Sequence, residues 1–527
     1  MISPGFEPVA FWWGWRVVGV ACGGGVLCVG ELGVARDFKA VDRSPMLLPP
    51  DLLEWLPANH LALFYVDAVA SLDTSAVVSC YELGGVGRQA YDPQMLTTLL
   101  MYAYSQGVMS SRKIEQRCHT DVAFRVICAN NIPDHCTISR FRSRCGDQLS
   151  GLFGAVLGLC HQAGMVKVGV VSIDGTKIAA QASLQRNYSQ EHLRRLAAEL
   201  VDQAGHVDDD EDDQFGDSCG DELPQQLRAG PDRVARLRGL RDRMTRVNAA
   251  VDQVETRLAQ VIDEDVDTVS RKLQAARRRQ GWCVNRVVVR HAKSPAKQGR
   301  PRIPVEDHAQ VRQATQRVDD LEHQLDLARG GQGKNASVKR LVANTSDPDS
   351  KPMPIMGGKA FVQGYNGQVA VSADHVIIAA DVCQTPNDQS LFVPMMNQAV
   401  ESANDHLGGA QIEMILADAG YCTENALSAP GPYRLIATGR NPAKPKSPRT
   451  STAVVAMVEK LQPGTPHREI YKQRACTVET VFAHLKHTLG FTRFTRRGLS
   501  AARNEWILLA MVFNLRRLAV HNGIPLQ

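Results

Sequence analysis

The chain lacks the cysteine spacing of a zinc site. Its 13 cysteines include no Cys-x-x-Cys pair, and their odd number excludes a complete disulfide framework. Reduced thiols in a cytoplasmic protein are the simplest state, and Cys136, Cys383, Cys422 and Cys476 read as small core residues. A nucleotide phosphate loop is missing too. Residues 331–334 read GQGK, but Asn335 stands where Ser or Thr is required, and no strand precedes it. No basic segment leads into the apolar, glycine-rich residues 11–30, which excludes an ordinary secretory signal. That stretch is long enough to cross a bilayer, but its glycines and its clustered Trp12, Trp13 and Trp15 weigh against an anchor. Large net charge is also absent: the formal +5 does not by itself point to nucleic acid.

What charge there is falls into blocks. Residues 208–222 carry nine acids and no base, whereas residues 271–302 and the stretch after Arg468 are rich in Arg and Lys. Basic surfaces of this kind favour a polyanionic partner, although solvated charged faces give the same pattern. With 44% apolar and 22% charged residues the composition is that of a soluble globular protein. A length of 527 residues fits two to four structural units at roughly 150 residues each.

Residues 47–164 have a helical pattern. Asp92 caps a helix from Pro93 to Gln106, Ser110 or Ser111 caps the next, and Asp134 caps one carrying Thr137, Arg140, Arg142 and Arg144. Short helices closed by a basic one suggest a helix-turn-helix, and a small bundle with exposed arginines fits equally well. At Lys167 the pattern changes. Val168, Val170, Val171 and Ile173 predict a buried strand ending in a turn at Asp174-Gly175, with a second strand beginning at 177–180. Further strands are expected at 367–372, 376–382 and 412–417, with a helix at 388–404, which makes an α/β core. Helices from Thr477 and from about Ala501 to Val520 close the chain, the second with Arg516 and Arg517 outside.

Residues 189–339 interrupt this core. Leu237, Leu240, Met244, Val247, Val251, Val254, Leu258 and Val261 repeat at alternating spacings of three and four, as do Val311, Ala314, Val318, Leu321, Leu325 and Ala328. The two seams predict an antiparallel helical hairpin whose tip is the basic stretch 286–302. The acidic run is expected to be poorly ordered, because like charges repel.

Two strands end in an aspartate, Asp174 after VSI and Asp418 after ILA. A carboxylate just past a strand end is held by the core and points into the crevice at the sheet edge. Two of these with a third from a nearby helix suit two Mg2+ or Mn2+ ions about 4 Å apart, which activate water and stabilise the leaving oxygen of a phosphodiester. An isolated Asp after a strand is more often a turn residue.

Several segments, in order, resemble the DDE transposases of bacterial insertion sequences. They are 91–142 (YDPQMLTTLL…RFR), SIDGTKIAA around Asp174, NTSDPDSKPM and GYNGQVAV after the interruption, ADAGYCTENAL around Asp418, and VETVFAHLKHTLGFTRFTRRGL with EWILLAMVFNLRRL. The resemblance implies a ribonuclease-H-like core joined to an all-α N-terminal domain. It also implies Asp174, Asp418 and Glu479 as the catalytic and metal-binding triad, close enough together to share metal. Lys486, seven residues past Glu479, and Tyr471 and Arg474 match the family's Tyr-x2-Arg and Glu-x6-Lys spacings, as DNA-contacting residues. The Arg-to-Glu gap holds four residues, where the commonest form has three.

The implied activity is cleavage of double-stranded DNA at the element's terminal inverted repeats and transfer of the freed 3′-hydroxyl to target DNA. A homodimer is implied on DNA, and no membrane. The resemblance begins near Leu47, so residues 1–46 are expected to be a poorly structured leader read through from a misplaced start. The expected units are 47–164, a core of 165–188 with 340–527, and the inserted coiled coil 189–339. Two alternatives remain. One is a catalytically inactive, element-derived DNA-binding protein, which loss of a triad carboxylate would favour; none is lost. The other is a plain nuclease of the same fold.

Overall fold

The computed structural model describes residues 52–81, 90–215, 231–293, 303–331, 341–355, 360–439 and 452–526. The leader, part of the acidic run and residues 294–302 lie outside these.

The first described region is helical, and two of the expected side-chain caps are made, whereas Ser110 heads Ser111–Thr120 without a side-chain cap bond. Asp92 accepts from Gln94 N at 2.8 Å at the head of Pro93–Ser105, and Asp134 accepts from Thr137 N at 2.7 Å at the head of His135–Arg144. Each cap satisfies a backbone donor that the first helical turn leaves free. The apolar faces of these helices merge with the rest of the protein. One hydrophobic core runs from Leu61 through Phe124 and Leu157 to the strands and on to Ala519.

Eight strands follow among the described residues: β1 (Val170–Ala179), β2 (Asn187–Ser189), β3 (Val342–Asn344), β4 (Lys351–Ile355), β5 (Ala360–Ser372), β6 (Ile377–Cys383), β7 (Met414–Ala417) and β8 (Tyr433–Ile436). β2 and β3 form a separate antiparallel pair. The main sheet has the order β4-β5-β1-β7-β8, with β6 also paired to β5. β5 is antiparallel to β1, β4 and β6, whereas β7 is parallel to both β1 and β8. The fold is therefore mixed α/β with a helical N-terminal region. The closing helix Leu499–His521 packs Trp506 under β5, its Nε1 donating to Gln368 O at 3.0 Å. Arg516 is buried rather than outside: it donates to the Ser105 carbonyl, which the N-terminal helices leave facing it.

Between β2 and β3 the chain makes three long helices, Gln190–Phe215, Pro231–Lys293 and Ala309–Arg329. Residues 208–215 continue the first of them, so that part of the acidic run is helical. Extending an existing helix is easier than nucleating one, which outweighs the local repulsion. The second helix has 63 residues, about 95 Å at 1.5 Å per residue. Its seam is shared between two partners. Ala250 and Val254 pack on Leu193 and on Ala343 of β3, while Leu273 and Cys283 face the last helix through Val318, Leu321, Leu325 and Val311. A heptad seam specifies an apolar stripe but not which stripe covers it. Among the described residues no helix is long and apolar enough to cross a membrane.

Candidate active site

The last paired residues of the parallel strands β1 and β7 are Ile173 and Ala417. An aspartate follows each. Neighbouring strands lie about 4.8 Å apart, so the register sets Asp174 and Asp418 abreast. β7 ends there, and Asp418 caps the short turn Ala419–Tyr421 by accepting from Gly420 N at 2.9 Å. β1 does not end. It continues to Ala179 against β5, so Asp-Gly is mid-strand and the expected turn and second strand are one strand. Pairing with β5 overrides the local turn preference of Asp-Gly. Asp174 still lies past the last residue paired with its other neighbour, β7.

Gly175 has a steric reason to be there. A Cβ would lie 2.1 Å from Gln368 Nε2 and 3.0 Å from Asn366 Oδ1. Those side chains belong to a buried polar network beside the aspartates. Asn366 Nδ2 and Gln368 Nε2 donate to Asp388 Oδ1 at 2.7 and 3.0 Å, Lys177 Nζ pairs with it at 3.2 Å, and the Tyr421 hydroxyl donates to Gln368 Oε1. Burial, followed by Asp388, Asp174 and Asp418, pushes the Tyr421 phenol far up. Three aspartates therefore act on one ring. Sequence reading missed Asp388, which looked like a helix start. The available signal was the polar pair Asn366 and Gln368, two residues apart and so on one face of β5.

The helix Pro466–Arg474 spans both strand ends. Tyr471 donates to Ala417 O at 3.1 Å, and one turn later Arg474 Nη1 donates to Asp174 Oδ2 at 2.8 Å. Burial pushes the Asp174 carboxyl up, Arg474 opposes this, and Asp418 adds to the rise. The helix runs on through a π-helical turn, Ala475–Glu479, and another at His484–Thr488. Thr477 bonds Ser172 Oγ at 2.8 Å, and Val478, Val481 and Leu485 are buried. Lys486 donates to Thr176 Oγ1, two residues along β1 and on the face of Asp174. Burial holds the Lys486 amine below its usual range.

Asp174, Asp418, Tyr471, Arg474 and Lys486 are thus gathered on one sheet edge. Glu479 is exposed on the same helix. Among the described residues no three His, Cys, Asp or Glu side chains are grouped closely enough to hold a metal ion. Glu469 lies in the first turn of Pro466–Arg474 and pairs with Lys472 at 2.7 Å. Glu505 is buried, accepting from Tyr104 at 2.8 Å and pairing with Arg142 at 3.5 Å.

Arg142 therefore faces inward, and the expectation that it contacts DNA gives way. It also donates to Met109 O at 2.8 Å and Thr495 Oγ1 at 2.6 Å, which ties the helical region to the C-terminal loop. Arg140 is exposed, and exposed Arg144 lies 5.7 Å over the Tyr81 ring. Cys136 and Cys476 are exposed, contrary to a core role, because each falls on the solvent side of its helix.

Residues 50–144 match the family model of a transposase domain (DUF772), and residues 339–515 match that of a transposase DDE domain. No curated protein and no solved structure matches the chain. The matched segments include the helical region, Asp418 and the Tyr471–Lys486 helix, and the chain belongs to the DDE-type transposases of insertion elements.

Proposed function

We propose that this transposase binds the ends of its element, hydrolyses the DNA backbone and joins the freed 3′-hydroxyl to target DNA, with Asp174, Asp418 and Glu479 as ligands for two Mg2+ or Mn2+ ions. The observation that carries the reading is the register of Asp174 and Asp418 on adjacent parallel strands. The donor chemistry fits a hard cation: two carboxylates stand abreast on adjacent strands, and burial, with the neighbouring carboxylates adding to it, raises both Tyr421 and Asp174. When bound, such ions activate a hydroxyl nucleophile and stabilise the leaving oxygen.

The chain's own residues supply the rest. Tyr471 fixes the end of β7 beside Asp418, Arg474 offsets the charge of Asp174, and the ammonium of Lys486 is placed for a phosphate. An i→i+5 turn keeps positions five apart on one side of a helix, much as an α-helix does with positions four apart. The π-helical turn between Arg474 and Glu479 thereby absorbs the additional residue in that gap, which supports Glu479 as the third ligand.

We read the core as ribonuclease-H-like, from three antiparallel strands, β6-β5-β1, continued by parallel β7 and β8. Residues 47–164 are its helical partner, and 189–339 a coiled-coil insertion between the two family matches. The test is cleavage of end-bearing DNA in magnesium. Glu479→Gln is expected to abolish cutting while DNA binding persists, and Glu469→Gln to cut normally. Normal cutting by Glu479→Gln would remove it from the triad. Joining of the cut end to a second duplex separates a transposase from a nuclease.

A further inference from the structure

The inserted helices carry a surface that neither family match covers. Along Pro231–Lys293, residues 271–290 hold seven Arg or Lys and no acid. Arg279, Trp282 and Arg286 are spaced three and four apart and so share one face. They line a groove of about 770 Å3 against Gln313, Arg317 and Asp320 of the helix Ala309–Arg329. Trp282 is 58% exposed, unusual for so large an apolar ring. The Arg286 guanidinium sits 5.0 Å from its centroid.

Some exposed arginines on these helices are neutralised: Arg277 pairs with Glu322 at 2.7 Å and Arg194 with Glu255 at 2.6 Å. Among the described residues Arg279, Arg286 and Arg317 have no carboxylate partner, and the Asp320 carboxylate accepts from Gln316 at 3.2 Å. Three unpaired guanidinium groups beside a flat apolar ring form a receptor for a polyanion with apolar sugars.

The groove also lies at a defined reach. Near residues 250–257 the long helix is anchored to the α/β part, through Val254 on Ala343 and through Arg257 to Val342 O at 3.3 Å. From Val254 to Trp282 is 28 residues, about 42 Å of helix. That equals about 12 base pairs at 3.4 Å each.

We propose that this groove is a second DNA-backbone site, engaging duplex phosphates beyond those at the sheet edge, about the length of 12 base pairs along the helix from its anchor on β3. It rests on the reading of the protein as an enzyme that works on duplex DNA. The probes are labelled 30-bp and 12-bp DNA duplexes, titrated over a range of salt with the full chain and with the triple variant Arg279→Gln, Arg286→Gln, Arg317→Gln. All three side chains are exposed, so folding is expected to survive, and circular dichroism with Trp282→Ala as a second variant checks this.

The wild type should prefer the 30-bp duplex. The triple variant should lose that preference, binding the 30-bp duplex on the order of 100-fold more weakly at 0.15 M salt, with a salt slope lower by about three. Trp282→Ala should weaken 30-bp binding without changing the slope. An unchanged affinity and slope in the triple variant overturns the proposal, as does equal binding of a 30-bp RNA duplex. The underlying reading has its own readout: a wild type that binds 30-bp DNA but never cuts end-bearing DNA in magnesium overturns the catalytic proposal alone.

Discussion

The sheet edge and the inserted helices solve opposite problems. At the edge, Asp174 and Asp418 are set by strand register, held by Tyr471 and Arg474, and backed by one continuous core. Along the insertion, the helices are joined by clusters of only a few buried side chains, and most of the charged groups are exposed. The first region holds charges within about an ångström, as bond making requires. The second presents charge over a long reach, which suits a polymer whose phosphates recur every few ångströms. Rigidity is thus concentrated where chemistry is proposed.

Gly175→Ala should break the edge most severely. Its methyl group would displace Gln368 and with it the Asn366–Asp388–Tyr421 network, and a shift of about 1 Å at Asp174 should lower cleavage about 100-fold. The same variant should leave the helical insertion folded, as hydrogen exchange of residues 262–329 would show.

Next comes Glu505→Gln. The change is nearly isosteric but leaves Arg142 without its carboxylate, so denaturant unfolding should show a loss of about 3 kcal/mol, with the proposed catalytic residues untouched.

Leu321→Ala sharpens the comparison from the other side. It removes a buried side chain shared with Leu273 and should cost about 2–3 kcal/mol within the helix pair. Exchange protection should fall in 262–329 but not in β1 or β5. Equal loss in the sheet would show that the two regions unfold as one.

The smallest effect expected is in acid. His484 is half-buried against Phe513, and burial, with Arg516 and Arg517 adding to it, lowers its pKa to about 4 from 6.5. A histidine held neutral in the fold but free to protonate when unfolded stabilises fully above pH 6.5, and that contribution is lost as pH falls toward 4. Thermal melts between pH 7 and 4.5 should decline less steeply for His484→Gln than for the wild type.

Much of this was readable from local chemistry. The caps Asp92 and Asp134 satisfy neighbouring N–H groups, so their signal lies within four residues. Asp174 and Asp418 follow apolar runs, and the family motifs singled them out. What stayed hidden depends on distant partners. Asp-Gly reads as a turn until β5 pairs across it. Arg142 and Arg516 read as solvent-facing until Glu505 and the Ser105 carbonyl, 363 and 411 residues away, are folded onto them. Asp388 looks like a helix start because its partners, Asn366 and Gln368, sit on another strand. The seam of the long helix was visible, but its division between two partners was not.

The central claim is that the abreast pair Asp174 and Asp418 is the catalytic centre and that DNA is gripped elsewhere. The direct measurement compares Asp174→Asn with the wild type on end-bearing duplex DNA in magnesium, following cutting and binding in the same preparation. Asn keeps the shape and the hydrogen bond from Gly175 but removes the charge. The account predicts that cutting falls by three orders of magnitude or more, on the order of 4 kcal/mol in barrier, while binding stays within about threefold. Cutting at the wild-type rate by the Asn protein would contradict it.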